Sequence, residues 1–157
     1  MEVTILHSRS SGSYSGVVRG ILKNAARVVD FSKKTSVSVV FVGDQKMREL
    51  NRKYRGKDKT TNVLAFACNA NRVTQNAGNA TRYTLHATDQ LDLGDIFISI
   101  PEAKREAKKY GWTIRYTVAH LTLHGFLHLL GYGHIKNKDA REMEELEQRI
   151  LKDYVKH

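Results

Sequence analysis

Cysteine and long apolar segments are nearly absent from this chain, and each absence argues against a class of protein. Cys68 is the single cysteine in 157 residues, so no disulfide can form within the chain, which fits a reducing compartment. No apolar run approaches the ~20 residues that a membrane-spanning helix requires. The N-terminal segment lacks a basic stretch followed by an apolar one, so we expect no signal peptide. These features predict a cytoplasmic protein without a membrane partner.

Acidic residues are few relative to basic ones. Asp and Glu number 16 against 26 Lys and Arg, which gives a formal net charge of +10. Most of the excess lies in residues 1–60, with 13 basic and 5 acidic side chains, and it is densest over residues 46–59. Such a field favours a polyanion, and without bulky lipid-facing aromatics nucleic acid is favoured over a membrane. We expect Lys53, Lys57 and Lys59 to contact RNA phosphates; a merely solvated basic face is the alternative.

The hydrophobic pattern predicts one α+β domain over residues 1–157. A hydrophobic share of 41% suits a single core, and no linker or internal repeat divides the chain. Alternating or β-branched runs predict four strands, over residues 2–7, 37–42, 62–68 and 93–100. Local signals mark where the later helices begin. Asp44, Thr113 and Asp139 are predicted N-caps, and Pro101 suits the first turn of a helix. The expected architecture is a single layered domain, a small mixed four-stranded sheet with helices packed on it.

Three histidines within residues 124–134 have the spacing of metal ligands. His124 and His128 are one helical turn apart, so their side chains lie on one helix face about 6 Å apart, a separation that one ion can bridge. Gly131 can take a positive φ and end the helix, which allows the chain to return His134 toward the same ion. Three imidazoles with a vacant fourth position are typical of catalytic zinc, and other divalent transition metals also suit them. We predict one ion per chain.

His120 lies on the same nearly all-apolar helix, but it cannot share one ion with His128. These two residues are about 12 Å apart along the helix axis at 1.5 Å per residue. The helical pair is therefore either His120 with His124 or His124 with His128. Because a residue just past the helix end reaches only the C-terminal pair, His134 favours the second choice. His120 is then predicted to orient a ligand or to face the substrate, with a structural role as the alternative.

The histidine spacing is also that of the metzincin signature H-E-x-x-H-x-x-G-x-x-H, with one difference. Gly125 occupies the position at which a protease carries its general-base glutamate. A small metallopeptidase is therefore a weaker alternative, disfavoured by this glycine and by the basic surface.

The histidine segment, taken together with two others, resembles the bacterial YbeY endoribonucleases. Residues 114–134, IRYTVAHLTLHGFLHLLGYGH, are similar to the family block H-G-x-L-H-L-x-G-Y-D-H. Residues 49–66, ELNRKYRGKDKTTNVLAF, and residues 93–99, LGDIFIS, agree as well. The match runs in order from about residue 37 to the end of the sequence, so we identify the chain as a member of this family.

The resemblance implies a single-strand-specific, metal-dependent RNA hydrolase that acts in ribosomal RNA maturation and ribosome quality control. It implies zinc held by His124, His128 and His134, and it makes Arg55 the functionally essential arginine, whose planar guanidinium suits phosphate oxygens. Ribosomal subunits or assembly factors are the implied partners. Gly133 stands where the family has an aspartate before the third histidine, which removes a carboxylate near the metal. A non-catalytic RNA-binding assembly factor with a structural metal is the alternative.

Overall fold

The part of the chain that the structure describes holds four strands, five α-helices and a short 3-10 helix, Gly12–Tyr14. The computed structural model describes residues 1–7, 12–29, 35–68, 91–133 and 137–154. The strands are β1 Glu2–His7, β2 Thr35–Val42, β3 Val63–Ala67 and β4 Leu91–Ser99. The helices are α1 Ser15–Val28, α2 Asp44–Arg55, α3 Ile100–Tyr110, α4 Ile114–Leu129 and α5 Asn137–Leu151. None of these described helices is long and apolar enough to cross a membrane.

The four strands form one mixed sheet in the order β1-β2-β4-β3. Strands β1 and β4 both lie parallel to β2, whereas β3 runs antiparallel to β4 at the edge of the sheet. Val39 pairs with Ile96 in the parallel register, and Val63 pairs with Ile98 in the antiparallel one. The predicted α+β fold with a small mixed four-stranded sheet is therefore confirmed.

An irregularity in β4 at Gly94 keeps the buried side chains of this strand on one face. Gly94 has a φ of 115°, and a Cβ atom there would lie 2.1 Å from the backbone oxygen of Phe66. The register between β4 and β2 shifts at the same place. Because an extra residue reverses the alternation of side chains, Leu93 and Ile96 both point into the core, where each is buried.

Helix α4 lies in the core and contacts α1, α3, α5, β3 and β4. Ten of its sixteen residues are buried. Gly125 faces the sheet, where a Cβ atom would lie 2.6 Å from Cγ2 of Ile96 and 3.4 Å from Cγ2 of Val63. The missing side chain allows the helix to approach the sheet closely. Packing on nearly every side therefore fixes the helix that carries the histidines.

Two helix boundaries confirm the predictions made from local signals. Thr113 caps α4, because its side chain accepts a hydrogen bond from the backbone N–H of Tyr116 at 3.1 Å. Pro101 lies in the first turn of α3, and Gly111 ends that helix with a φ of 65°.

Two other predicted caps are wrong. Gly43 is the N-cap of α2, and Asp44 is its first helical residue. The carboxylate of Asp44 instead accepts a hydrogen bond from Arg105 at 2.7 Å, because the start of α2 lies beside α3. Helix α5 begins at Asn137, so Asp139 lies inside the helix rather than at its cap.

Candidate metal centre

One stripe of helix α4 is open to solvent, and it carries the histidines. Tyr116, His120, His124 and His128 recur every four residues and are half-buried, whereas most of the helix is fully buried. His124 keeps 25% of its side chain exposed. Because residues four apart share a helix face, the three imidazoles follow one another along a single accessible face.

The side chains of His124 and His128 converge on one point. Their Nε2 atoms lie 3.0 Å apart. Nδ1 of His124 lies 2.8 Å from Oε1 of Glu147, and Nδ1 of His128 lies 2.9 Å from the backbone oxygen of Tyr132. A backbone carbonyl and an ionised carboxylate can only accept, so each Nδ1 carries the ring proton and donates. The two facing Nε2 atoms are therefore left as unprotonated lone pairs.

Glu147 is ionised although it is largely buried. Its side chain is 15% exposed, and its Oε2 atom lies 3.7 Å from Nε2 of His120. Burial by itself raises the pKa of Glu147, but the interactions with His120 and His124 outweigh it and lower the pKa to about 2. The carboxylate therefore holds the proton of His124 on Nδ1 at neutral pH. Nδ1 of His120 is buried and has no hydrogen-bond partner among the described residues.

The facing lone pairs of His124 and His128 fit a cation between them. Two acceptors at 3.0 Å repel each other unless a proton or a metal ion lies between them. Two nitrogens bound to one tetrahedral zinc at about 2.05 Å are about 3.3 Å apart, close to the observed separation. The rings of His120 and His124 are more widely separated, with centroids 6.2 Å apart. The structure thus brings together His124 and His128, the pair that the position of His134 selects in the sequence.

A tight turn after α4 positions the carbonyl that holds His128. Gly131 has a φ of 93°, and its N–H donates to the oxygen of His128 at 3.0 Å. The N–H of Tyr132 donates to the oxygen of Leu127, also at 3.0 Å. These two bonds form a Schellman motif, which turns the carbonyl of Tyr132 toward Nδ1 of His128. The predicted positive φ at Gly131 is confirmed, and the turn that it makes also fixes a ring proton.

The third predicted ligand, His134, lies outside the described residues. Within the ranges that end at residue 133 and resume at residue 137, no group of three or more His, Cys, Asp and Glu side chains is placed to hold a metal ion. Gly133 is half-buried, and no atom of the described chain lies within 4 Å of the position that its Cβ would take. Ligation by His134 stays a prediction.

Comparison with known proteins places the chain in a family. The family described as Endoribonuclease YbeY matches residues 5–155. The chain belongs to this family. The endoribonuclease YbeY of Bacillus mycoides (strain KBAB4) is 37% identical over 141 residues, which cover 90% of this chain and 86% of the relative. That of Bacillus cytotoxicus is 38% identical over 138 residues, which cover 88% of this chain and 85% of the relative.

A solved structure supports the fold of this YbeY-family chain. The solution structure of TM1509 from Thermotoga maritima resembles it with a TM-score of 0.59. The likeness covers 97% of this chain and 91% of TM1509, at 19% sequence identity. At this identity the comparison concerns the arrangement of strands and helices alone.

Gly125 separates this YbeY-family centre from that of a metallopeptidase. The position follows His124 directly, but it points at the sheet, where Ile96 and Val63 leave no room for a side chain. A glutamate there would enter the core instead of reaching the open face of the helix. The packing of Gly125 and the family membership together argue against the metallopeptidase alternative.

Arg55 lies on a different helix from the histidines. It is the exposed last residue of α2, and within the described residues no hydrogen bond, ion pair or ring contact joins it to His124 or His128. The neighbouring Tyr54 packs against Phe66 of β3, with ring centroids 4.8 Å apart. Phe66 alternates along β3 with the side chains that face α4, so the Tyr54 ring packs on the opposite face of the sheet, at its β3 edge. The role of Arg55 stays a prediction.

The three predicted RNA-contacting lysines, Lys53, Lys57 and Lys59, are exposed. Arg48 in the same stretch is held by Asp58 at 2.8 Å, whereas these lysines form no ion pair with any described residue. Nζ of Lys53 lies 5.1 Å from the centroid of the Tyr54 ring. Their positive charges are therefore available to an anionic partner, and their contact with RNA stays a prediction.

Glu147 is the site residue that the sequence analysis missed. It lies 23 residues after His124 in sequence. A signal for it exists, because helical spacing puts Glu147 on the same inner face of α5 as Met143 and Ile150, both fully buried. An acidic residue on such a face requires a partner, and the unexplained histidines of α4 were candidates.

Proposed function

We propose that this chain is a single-strand-specific, metal-dependent endoribonuclease that hydrolyses phosphodiester bonds of RNA. Family membership supports the RNA-cleaving activity. The observation that supports the metal is the pair of Nε2 lone pairs on His124 and His128, 3.0 Å apart with each Nδ1 bound to an acceptor. Zinc is the proposed ion, one per chain, with His134 as the third ligand and another divalent transition metal as the alternative.

The chain's own residues prepare this site for catalysis. His124 and His128 would hold a divalent ion, which would supply Lewis acidity for activating water and for offsetting charge on a phosphate oxygen. Glu147 and the carbonyl of Tyr132 keep the ring protons of the two histidines on Nδ1, so that both Nε2 atoms keep their lone pairs. In this proposal Arg55 donates a planar pair of hydrogen bonds to the phosphate and stabilises its transition-state charge.

A finer proposal concerns the RNA and its location. The basic excess over residues 1–60 supports a polyanionic substrate. We propose ribosomal RNA in its maturation and quality control as the substrate, with ribosomal subunits or assembly factors as partners, in the cytoplasm. The resemblance of the sequence motifs to the family supports this choice. The alternative is a non-catalytic RNA-binding assembly factor with a structural metal, which the replacement of the family's aspartate by Gly133 favours.

Cleavage of single-stranded RNA by the metal-loaded protein tests the catalytic proposal. We expect cleavage by wild type, little cleavage of a duplex of the same sequence, and loss of both activity and bound metal in His124→Ala and His128→Ala. His120→Ala should keep its metal, because its ring lies outside the converging pair. Metal bound by wild type with no RNA cleavage would favour the assembly-factor alternative, and cleavage of casein instead of RNA would favour a peptidase.

Salt dependence tests whether the basic stretch binds RNA. Each phosphate that a lysine neutralises releases a counterion, so affinity should fall steeply as salt rises. Replacing Lys53, Lys57 and Lys59 together by alanine should weaken binding and reduce the slope of log affinity against log salt by the equivalent of roughly three phosphate contacts. The loss should depend little on the RNA sequence. Binding that does not depend on salt, or that is unchanged in the triple variant, would make the stretch a solvated face.

A further inference from the structure

A continuous line of rings runs from the surface to the histidine pair. Neighbouring rings are in stacked, tilted or edge-to-face contact, and the centroids of successive rings lie 4.6 to 6.3 Å apart. The line starts at the end of α3 and follows the open stripe of α4. In order, its members are Tyr110, Trp112, Tyr116, His120, His124 and His128.

The outer three rings, Tyr110, Trp112 and Tyr116, all keep part of their surface exposed, and Tyr116 also packs against the core. Tyr110 keeps 50% of its surface exposed, which makes it one of a few large hydrophobic residues at the surface of the described structure. Trp112 and Tyr116 are half-buried. A ring face presented to water next to a site is a common feature of sites that hold a planar ligand.

Basic residues flank these rings in the sequence. Lys104, Lys108, Lys109 and Arg115 are exposed residues of α3 and α4. Nζ of Lys109 lies 5.1 Å from the centroid of the Tyr110 ring. The acidic residues of α3 are engaged elsewhere: Glu102 binds Arg105, and Glu106 accepts a hydrogen bond from Asn62 at 2.7 Å. The face is therefore both aromatic and cationic, which complements a stacked base with its phosphate.

We propose that Tyr110, Trp112 and Tyr116 form a base-stacking subsite that holds nucleotides of single-stranded RNA beside the bond cleaved at the histidines. The inference rests on the proposed function and adds a substrate-positioning surface to it. Tyr116 precedes His124 by about two helical turns, or about 12 Å along the axis at 1.5 Å per residue, and Trp112 lies just before the start of the same helix. Only unpaired bases can stack on protein rings, because paired bases are stacked within their own helix. The subsite thereby gives a physical basis for a preference for single strands.

Trp112 is the single tryptophan of the chain, so its fluorescence reports on this subsite directly. The probe is a single-stranded oligonucleotide with 2′-O-methyl groups, which resists cleavage, added to metal-free protein. We expect the oligonucleotide to quench Trp112, and an abasic strand of the same length to quench it far less. Quenching that is equal for the abasic strand would overturn base stacking and leave only contact with the backbone.

The matched variants are Tyr110→Leu and Tyr110→Phe, at an exposed position where folding is not at risk. Loss of one stacked base typically costs about five- to a hundredfold in affinity, so Tyr110→Leu should weaken binding by about that factor. Tyr110→Phe keeps the ring face and should bind like wild type. Equal affinity of the leucine variant would overturn the subsite.

The binding assay is independent of cleavage, so the two proposals can fail separately. Quenching and a Tyr110→Leu defect in a protein that cleaves no RNA would support the subsite and reject the catalytic function. Cleavage by wild type with no quenching and no Tyr110→Leu defect would support the catalytic function and reject the subsite. A protein that binds no single-stranded RNA at all would overturn both.

Discussion

The carboxylate of Glu147 lies 2.8 Å from Nδ1 of His124, so helix α5 determines the tautomer of a residue on α4. A carboxylate behind a ligating imidazole keeps the ring proton away from the metal-facing nitrogen and increases the basicity of that nitrogen. The same carboxylate reaches toward His120, whose Nε2 is 3.7 Å away. His120 therefore lies beside the group that orients a predicted ligand, and its role stays a prediction.

Glu147→Gln should weaken metal binding without unfolding the protein. A neutral amide has the size of the carboxylate but lacks its charge, and loss of such a partner typically lowers metal affinity about 10- to 100-fold. Competition for zinc with a chelator of known affinity measures the effect. Glu144→Gln is the control, because Glu144 is an exposed residue of the same helix. Equal affinities of the two variants would remove Glu147 from the site.

Arg55→Ala should slow RNA cleavage far more than it weakens RNA binding. A guanidinium that meets charge developing in the transition state contributes on the order of a hundredfold or more to the rate. Lysine should restore only part of this, because it has the charge without the planar fork. Arg52→Ala is the control, at another exposed arginine of α2. Single-turnover cleavage rates that are the same in both alanine variants would contradict a catalytic role for Arg55.

Gly125→Ala should destabilise the protein, because the added Cβ would meet Cγ2 of Ile96 at 2.6 Å. Overpacking of this kind costs about 1–3 kcal/mol in the free energy of unfolding. Ile96→Ala alone should cost about 2–5 kcal/mol through the cavity it leaves. The double variant should cost less than the sum, because the two changes compensate in volume. Strict additivity in denaturant titrations would show that the helix and the sheet are not in contact at this point.

Gly131→Ala should destabilise the turn that orients His128. An L residue with a φ near 93° is strained, at a cost of about 1–2 kcal/mol. Gly16→Ala is a control for which we expect the opposite sign, because Gly16 is helical and has open space around its Cβ position. This substitution should be neutral or should stabilise the protein by up to about 1 kcal/mol. Thermal unfolding of both variants checks the signs. A Gly131→Ala protein as stable as wild type would mean that the turn tolerates a side chain.

Asp44→Asn should destabilise the protein at neutral pH but not in acid. Arg105, Ser99 and Thr60 all donate to one carboxylate oxygen, and the hydrogen bond from Arg105 lowers the pKa of Asp44 below 3.8. Because the folded-state pKa is lowered, the stabilisation is complete above pH 3.8 and is lost as the pH falls through the lowered value. We expect about 1 kcal/mol at pH 7, given the partial exposure. Unfolding at stepwise lower pH should show the two proteins converging.

Local signals predicted much of this fold, because they act within a few residues. Thr113 caps its helix and Gly131 ends it through bonds to neighbours that are adjacent in sequence. The spacing of His124 and His128 placed them together because one helix carries both. Strand order was not predicted, since nothing local to residues 63–67 shows that β3 pairs with β4 in antiparallel orientation.

Contacts between distant segments account for what the sequence did not reveal. Asp44 is a residue type that commonly caps helices. Its carboxylate instead accepts a hydrogen bond from Arg105, which is 61 residues away in sequence. Glu147 reaches His124 only because α5 packs on α4. In both cases the hydrogen-bond partner of an acidic side chain comes from a segment distant in sequence, so local sequence signals do not predict it.

The placement of two ligands on one buried helix has a consequence for how the protein handles its metal. Core packing and the Thr113 cap fix the helix backbone that carries His124 and His128, so folding itself places these two residues one turn apart on one face. Folding and loading are then separate events, unlike in zinc fingers, which collapse only around their ion. We expect a pool of folded protein whose activity follows the supply and exchange of metal, and that a chelator switches off without denaturing it.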